Sequence, residues 1–232
     1  AADLPLLLDG GDEDFVSWLA VQPEGSLALR TILYRVPLHL GDLLSNELFT
    51  RLYGGVLTSA TLAVAGDFSY VKTNLGLSLL PAGACREAIL ASPFNYREHV
   101  LILVSPDLPL PEDPDYTAAV SLLLPPIIQA AGGRSLLLFT NRQQMNLVYT
   151  QISPPLSAAG IHLLRQGEEP RHQLLKKFQQ TPRAVLLGMD SFWEGVDIPG
   201  PQLSNVIIIR LPFRVPTEPL FQAQWEALAK EG

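Results

Sequence analysis

The spacing of hydrophobic residues changes along this chain and divides it into two parts. From about residue 115 onward, apolar runs of strand length alternate with segments whose apolar positions recur at helical spacing. Short apolar runs between helices are typical of parallel strands that are buried on both faces. We therefore predict an α/β fold, a parallel sheet with helices on both faces, from about residue 95 to the end. The predicted elements are helix 115–131, strand 135–139, helix 142–152, strand 161–164, helix 170–180, strand 184–187 and strand 205–209.

Two consecutive prolines lie inside the first of these helices. Because proline removes a backbone donor and clashes with the preceding turn, we expect Pro125 and Pro126 to kink or split helix 115–131.

The early part of the chain is patterned as a hairpin. Residues 15–21 and 27–36 alternate in the manner of strands on either side of Pro23-Glu24-Gly25, which predicts two antiparallel strands and a turn. A hairpin with one helix and one strand buries too little surface to stand alone. We therefore expect this part to belong to a larger domain.

Three further segments of the early chain carry apolar residues. Leucines within residues 38–52 recur at helical spacing and predict a helix, with Asp42 as a possible cap. Residues 55–58 predict a short buried strand, and residues 99–104 predict another between two proline-containing loops.

Composition limits the possible functions. The 232 residues are 47% hydrophobic, enough for a substantial core, and their apolar runs are too short for a membrane span, so we expect a cytoplasmic protein. Cys85 is the only cysteine, which excludes an internal disulfide and any metal site built from several thiolates. The net charge of −7 gives no general attraction for polyanions, so any nucleic-acid contact must be a local groove.

The first candidate site follows the predicted strand 135–139. Ligands of open parallel sheets bind at the carboxyl ends of the strands, so the loops there carry the candidate chemistry. Thr140, Asn141 and Arg142 begin a helix, where short donors and a guanidinium can hold a phosphate. An ordinary helix cap followed by a solvated turn explains the same residues, and taken alone it is the more common meaning.

The loop at residues 188–200 is the strongest functional signal in the chain. It combines two aromatic residues, three acids and three glycines directly after a predicted buried strand, an unusual mixture for a simple connection. Glu194 and Asp197 can accept hydrogen bonds from ribose hydroxyls or order cations, and Phe192 or Trp193 can stack on a base. An equally good interpretation is that Trp193 pins the loop to the sheet.

A third group consists of small hydroxyl side chains. Thr58 ends the predicted strand 55–58, and Ser59 and Thr61 follow it; these hydroxyls can relay between a bound nucleotide and another site. A turn rich in serine and threonine is usually only a turn, so this group alone indicates little.

Taken in order, these three segments resemble the later motifs of superfamily 2 helicases of the DinG/XPD-like branch. Residues 58–62 are similar to motif III, residues 137–144 to motif IV and residues 188–200 to motif V. Ser92-Pro93-Phe94-Asn95-Tyr96 resembles the family's start of the second motor lobe, and Arg210-Leu211-Pro212-Phe213 is also typical. The resemblance covers nearly the whole chain, and its version of motif V is specific.

The resemblance implies a RecA-like, P-loop NTPase-like lobe at residues 91–232, preceded at residues 1–90 by the tail end of the first motor lobe with its hairpin and helix. In such helicases two lobes clamp ATP and Mg²⁺ while single-stranded or forked DNA lies across both. The implied partners are DNA and the missing first motor lobe of the same polypeptide, and no membrane is involved.

The resemblance also assigns roles to individual residues. The implied DNA contacts are Thr140, Asn141, Arg142, Ser191, Phe192 and Trp193. The implied nucleotide-cleft residues are Glu194, Gly195 and Asp197. Thr58, Ser59 and Thr61 would couple the two sites.

Parts of a complete motor do not occur in this sequence. A P-loop (Walker A) needs a lysine after a glycine, and none of Lys72, Lys176, Lys177 and Lys230 follows one. We interpret the acidic residues 9–14 as a solvated loop rather than a Walker B strand end, and nothing of the form of motif VI follows the last predicted strand. We therefore expect the chain alone to bind no cofactor and to be inactive, and the intact protein to be an ATP-dependent DNA helicase.

Two other interpretations stay open. A RecA-like lobe can be a non-catalytic module that binds nucleic acid or a partner, and a P-loop upstream would decide against this. A nucleotide-binding enzyme of another α/β family, such as a glycosyltransferase-like lobe, would use Glu194 and Asp197 for a sugar nucleotide, but it leaves residues 58–62 unexplained.

Overall fold

A computed structural model of the chain describes residues 14–24, 28–213 and 217–231. The chain divides into two compact units, one of Ala1–Val100 with Arg214–Gly232 and one of Leu101–Phe213. This division concerns compactness, and the assignment of residues 1–90 and 91–232 to two motor lobes stays a prediction. Most of the predicted acidic loop lies outside the described residues.

The first unit contains the predicted hairpin. Strands β1 (Phe15–Glu24) and β2 (Ala28–Pro37) pair antiparallel along their whole length. Trp18 and Tyr34 stack across the pair with ring centroids 4.9 Å apart, a cross-strand aromatic contact that stabilises it. The hairpin prediction is confirmed, although the turn residues 25–27 lie outside the described residues.

The predicted helix 38–52 is shorter than expected. Helix α1 spans Gly41–Glu47, and a separate 3-10 turn, Phe49–Arg51, follows it. The prediction that Asp42 caps this helix is wrong, because the N-cap is Leu40 and Asp42 lies in the first turn. A carboxylate in that position still interacts favourably with the helix dipole.

Short helices and irregular connections make up most of the remaining first unit. These elements are helix α2 (Ser69–Leu75), the 3-10 turn Leu77–Leu79 and helix α3 (Tyr96–His99).

Two predicted strands of the early chain are wrong. Residues 55–58 and 100–104 have no regular structure, and residues 96–99 are helical. Val56 is 89% exposed, and the four apolar residues 101–104 are 74–82% exposed. An apolar run becomes a strand only where a neighbour supplies hydrogen-bond partners, and among the described residues neither run pairs with a strand.

The second unit alternates helices and strands in the predicted order. Its elements are α4 (Tyr116–Ala130), β3 (Ser135–Leu138), α5 (Arg142–Ala158), β4 (His162–Arg165), α6 (Arg171–Gln180), β5 (Ala184–Gly188) and β6 (Asn205–Ile208). The four strands form a parallel sheet in the order β4-β5-β3-β6. Helix α4 continues through Pro125 and Pro126, so the two prolines do not split it, and Leu124 and Ile128 on either side of them are buried in the core.

Both faces of the sheet are covered, which confirms the α/β prediction. Successive strand residues point to opposite faces, so neighbours within β3 enter different cores. Leu137 packs with buried residues of α4 and α5, whereas Leu136 packs with Leu174 and Phe178 of α6. Strands β3 and β5 are buried throughout and β4 and β6 form the partly exposed edges, so the centre of the sheet ends in two adjacent loops.

A buried tyrosine ties the start of α4 to the end of β6. The hydroxyl of Tyr116 donates a hydrogen bond to the carbonyl of Ile209. Burial raises the pKa of this phenol, so it stays a neutral donor.

One helix was not predicted from the pattern of the sequence. Helix α7 (Pro219–Glu231) belongs to the first unit. In the part of the chain that the structure describes, no helix combines the length and apolar character that crossing a bilayer requires.

Candidate functional site

The loop at residues 188–200 leaves the carboxyl end of β5 beside the end of β3. Gly188 lies opposite Leu138, and its carbonyl accepts a hydrogen bond from the amide of Phe139 at 2.9 Å. The loop then makes a 3-10 turn, Asp190–Phe192. It therefore starts at the edge of the sheet where open α/β folds bind their ligands.

Phe192 points inward and forms the floor of this loop. Its side chain is 1% exposed and packs in the core between the sheet and α6. A Cβ placed on Gly188 would lie 2.6 Å from Cγ of Phe192, so the ring occupies the space that any other residue at position 188 would need. The ring has no exposed face for a base, and we leave Phe192 out of the proposed DNA contacts.

Trp193 joins the loop to the neighbouring strand. Its indole Nε1 donates a hydrogen bond to the carbonyl of Phe139 at 3.1 Å, and its ring packs partly against the core beneath. The sequence left two roles open for Trp193, stacking on a base and pinning the loop to the sheet. The hydrogen bond to Phe139 is a direct contact for the second role.

The two acidic residues and the glycine predicted to face a nucleotide are exposed. Glu194, Gly195 and Asp197 alternate with the partly buried Val196 and Ile198, whose side chains pack against the core. Val196 and Ile198 anchor residues 194–198 to the core, and the carboxylates of Glu194 and Asp197 remain available to a ligand.

Arg171 holds the same loop from the neighbouring helix, although the sequence analysis did not single it out. It is the first residue of α6, and its Nε donates to the carbonyl of Ser191 at 2.8 Å. Its Nη2 donates to the carbonyl of Gly195 at 2.7 Å and to that of Glu194 at 3.2 Å.

Gln166 makes a second connection that the sequence analysis missed. Its side-chain carbonyl accepts from the amide of Met189 at 2.6 Å, and its amide nitrogen lies 3.3 Å from the hydroxyl of Ser191. Gln166 directly follows β4 and Arg171 begins α6, so the two residues flank the connection at the same carboxyl edge. The polar residues that follow β4 were the signal that could have found them.

The loop after β3 begins with a helix cap. The side-chain oxygen of Asn141 accepts from the amide of Gln144 at 3.0 Å, which is ordinary N-cap geometry. Thr140 is partly buried, and Arg142 is exposed in the first turn of α5. A Cβ placed on Gly167 would lie 3.9 Å from Nη1 of Arg142, so this guanidinium reaches over the loop after β4.

The loops after β3, β4 and β5 thus gather basic and small polar groups at one edge of the sheet. Arg165, at the end of β4, donates to Glu168 at 3.1 Å and to Asn146 at 3.2 Å. Arg142 and Arg171 belong to the same edge, and so do the acids of loop 188–200, so arginines and carboxylates are interspersed there. Among the described residues, no group of three or more His, Cys, Asp or Glu side chains could hold a metal ion.

The hydroxyl-rich segment lies in the first unit and forms a self-contained turn. The hydroxyls of Ser59 and Thr61 are 3.0 Å apart, and the amide of Thr61 donates to the Ser59 hydroxyl at 3.2 Å. Thr58, Ser59 and Thr61 are all exposed. The contacts are those of an ordinary serine/threonine turn.

A family model described as "Helicase C-terminal domain" matches residues 124–232. The chain is 35% identical to the 3'-5' exonuclease DinG of Bacillus subtilis, over 99% of this chain and 25% of that protein. It is 34% identical to the ATP-dependent DNA helicase YoaA of Escherichia coli, over 84% of this chain and 30% of that protein. It is also 34% identical to the ATP-dependent helicase DinG of Mycobacterium tuberculosis, over 95% of this chain and 32% of that protein.

The chain spans 25% to 32% of the length of these curated relatives. The identity extends over most of this chain, and the four-stranded parallel sheet with helices on both faces is the fold that its motifs predicted. Residues 124–232 belong to the helicase C-terminal domain family, and over most of its length the chain is similar to the DinG-like helicases.

Proposed function

We propose that this chain is part of an ATP-dependent DNA helicase or translocase, which couples ATP hydrolysis to movement along single-stranded DNA and to duplex unwinding. The observation that carries the proposal is the anchored loop at residues 188–200. Arg171, Gln166 and Trp193 hold it at the carboxyl edge of the sheet, while Glu194 and Asp197 remain exposed. The similarity to an ATP-dependent DNA helicase of Escherichia coli and an ATP-dependent helicase of Mycobacterium tuberculosis supports the same activity.

The nucleotide side of the proposed site consists of Glu194, Gly195 and Asp197. These residues would face ATP across a cleft shared with the first motor lobe of the intact protein. Since Mg²⁺ in such sites is usually held by one or two carboxylates and the nucleotide phosphates, ATP and residues of the first lobe would supply most of its ligands. On this proposal the chain alone binds neither ATP nor Mg²⁺.

The DNA side consists of Thr140, Asn141, Arg142 and Ser191. Their hydroxyl, amide and guanidinium groups are suited to phosphate oxygens, which fix the position of a strand without reading its sequence. Trp193 would support this surface through its bond to the carbonyl of Phe139. A few local contacts of this kind are compatible with an acidic protein.

The remaining assignments concern the rest of the chain. Residues 1–90 would form the tail end of the first motor lobe, and residues 91–232 would belong to the second. The exposed hydroxyls of Thr58, Ser59 and Thr61 would couple nucleotide and DNA. The protein would act in the cytoplasm on single-stranded or forked DNA.

The test compares the intact protein with the isolated chain. We expect the intact protein to hydrolyse ATP at a rate that single-stranded DNA raises, and to unwind a forked duplex. The isolated chain should release no phosphate from ATP with or without DNA. Release of phosphate by the isolated chain would contradict its inactivity, and an intact protein that binds DNA without hydrolysing ATP would be a binding module.

A further inference from the structure

We propose that Arg171 is a positioning residue that holds the DNA-facing and nucleotide-facing parts of loop 188–200 in one fixed arrangement. The inference rests on the proposed function, because it concerns how the two sites on this loop communicate. Ser191 lies on the proposed DNA side, whereas Glu194 and Gly195 lie on the proposed nucleotide side.

The contacts of a single guanidinium join these two parts. Nε of Arg171 binds the carbonyl of Ser191 at 2.8 Å. Nη2 binds the carbonyl of Glu194 at 3.2 Å and that of Gly195 at 2.7 Å. A shift of the Ser191 peptide relative to the Gly195 peptide would therefore break at least one charge-assisted hydrogen bond.

The surroundings of Arg171 give the guanidinium a fixed place. The guanidinium carbon lies 5.6 Å from the centroid of the Phe192 ring, which is itself fixed against Gly188. The backbone of Arg171 begins α6, whose Leu174 and Phe178 are buried in the core. The loop is thus fastened to a rigid helix rather than to another loop.

Only the shape of arginine explains the set of contacts. Its guanidinium presents several donors in a planar fork, and a lysine carries the same charge on one atom. The three donors of a lysine at position 171 all radiate from one nitrogen, so Arg171→Lys keeps the charge but loses the separate Nε and Nη2 donors that join the two parts of the loop.

The matched control is Arg183→Lys. Arg183 directly precedes β5, at the amino end of the strand whose carboxyl end leads into the loop. The same substitution there leaves the three carbonyl contacts of Arg171 in place.

The first measurement is hydrogen–deuterium exchange on this chain. Arg171→Lys should accelerate exchange of the hydrogen-bonded loop amides of Met189, Phe192 and Trp193 by about tenfold, which corresponds to 1.4 kcal/mol of lost local protection. The amides of β3 should keep their protection in both variants. Unchanged exchange in the loop overturns the proposal.

The second measurement is steady-state kinetics on the intact protein. For Arg171→Lys we expect kcat at saturating single-stranded DNA to fall by about tenfold, because small displacements of reacting groups have effects of that size or larger. KM for ATP and Kd for single-stranded DNA should stay within about threefold, a split that separates lost positioning from lost binding. Arg183→Lys should match the wild type in all three quantities.

Each result has a definite meaning. Faster loop exchange together with an unchanged kcat overturns the positioning role. A large rise in Kd for DNA or in KM for ATP overturns it too, since Arg171 would then act in binding. If the wild-type intact protein shows no DNA-stimulated hydrolysis, the proposed function itself fails, and this outcome is recognised before any variant is compared.

Discussion

Single residues of loop 188–200 divide into supports and exposed groups. The supports hold the loop backbone in place through core packing or hydrogen bonds. They are Phe192, Trp193, Gln166 and Arg171. Glu194 and Asp197 carry their charges into solvent. A loop whose backbone is held by a buried phenylalanine, a tryptophan and two polar side chains while two carboxylates stay exposed is expected of a ligand site, because an ordinary connection needs no such support.

The residue-scale prediction concerns Asp197. Replacing Asp197 with Ala in the intact protein should lower ATP-dependent unwinding by at least about tenfold, since the exposed carboxylate would be lost from the nucleotide side. Strand separation of a forked duplex, followed by fluorescence, measures the effect. Asp190→Ala is the control, because Asp190 lies in the same loop outside the proposed cleft set. Equal unwinding by Asp197→Ala and wild type would remove Asp197 from the site.

Sequence patterns predicted this site only in part at the residue scale. The acids, glycines and aromatics of residues 188–200 were recognisable as a group, because they are unusual after a buried strand. The inward direction of Phe192 and the bond from Trp193 to Phe139 were not recognisable, because each depends on a residue placed nearby by folding. Arg171 was missed for the same reason, since its acceptors lie 20 to 24 residues away.

At the scale of elements, the packing of β5 against its own following loop decides where the site lies. Gly188 ends the strand, and Phe192 folds back over it so closely that a Cβ would lie 2.6 Å from the ring. The volume of the Phe192 side chain therefore sets the turn between Gly188 and Phe192, and this turn fixes where the rest of the loop begins.

The element-scale prediction is that Gly188→Ala moves this turn. Because overpacking of a filled core costs about 1–3 kcal/mol, the free energy of unfolding of the second unit should fall by that amount. Urea denaturation of the chain, followed by tryptophan fluorescence, measures it. A control is Gly54→Ala, where an added Cβ meets nothing within 4 Å. Equal stability of Gly188→Ala and wild type would show that Phe192 can move aside without cost.

At the scale of the whole molecule, the negative net charge disfavours binding to DNA, which the proposed function requires. The chain carries −7 at neutral pH, and at the carboxyl edge of its sheet Arg142, Arg165 and Arg171 lie among the acids of the same loops. Two of these, Arg165 and Arg171, have hydrogen-bond partners within the protein, which leaves Arg142 as the cation among the proposed DNA contacts. Binding through this surface would therefore depend on neutral donors more than on many ion pairs.

The molecule-scale prediction concerns the salt dependence of DNA binding. Each phosphate neutralised on single-stranded DNA contributes about 0.7 to the slope of log affinity against log salt, so Arg142→Gln in the intact protein should reduce the slope by about that amount. Fluorescence anisotropy at several salt concentrations measures it. Arg51→Gln is the control, since Arg51 lies in the first unit and pairs with Glu47. A slope unchanged by Arg142→Gln would place the DNA elsewhere.

The sequence by itself determined the parallel α/β unit, its order of helices and strands, and the loop that carries the candidate chemistry. These features depend on local periodicity and composition, which neighbouring residues along the chain supply. Tertiary structure decided which apolar runs became strands: residues 136–138 found neighbours on both sides, whereas residues 101–104 found none in the described chain. It also decided that Phe192 faces the core and that Arg171 reaches three distant carbonyls, because a side chain's partners are set by the space and hydrogen-bond groups that the whole fold brings to it.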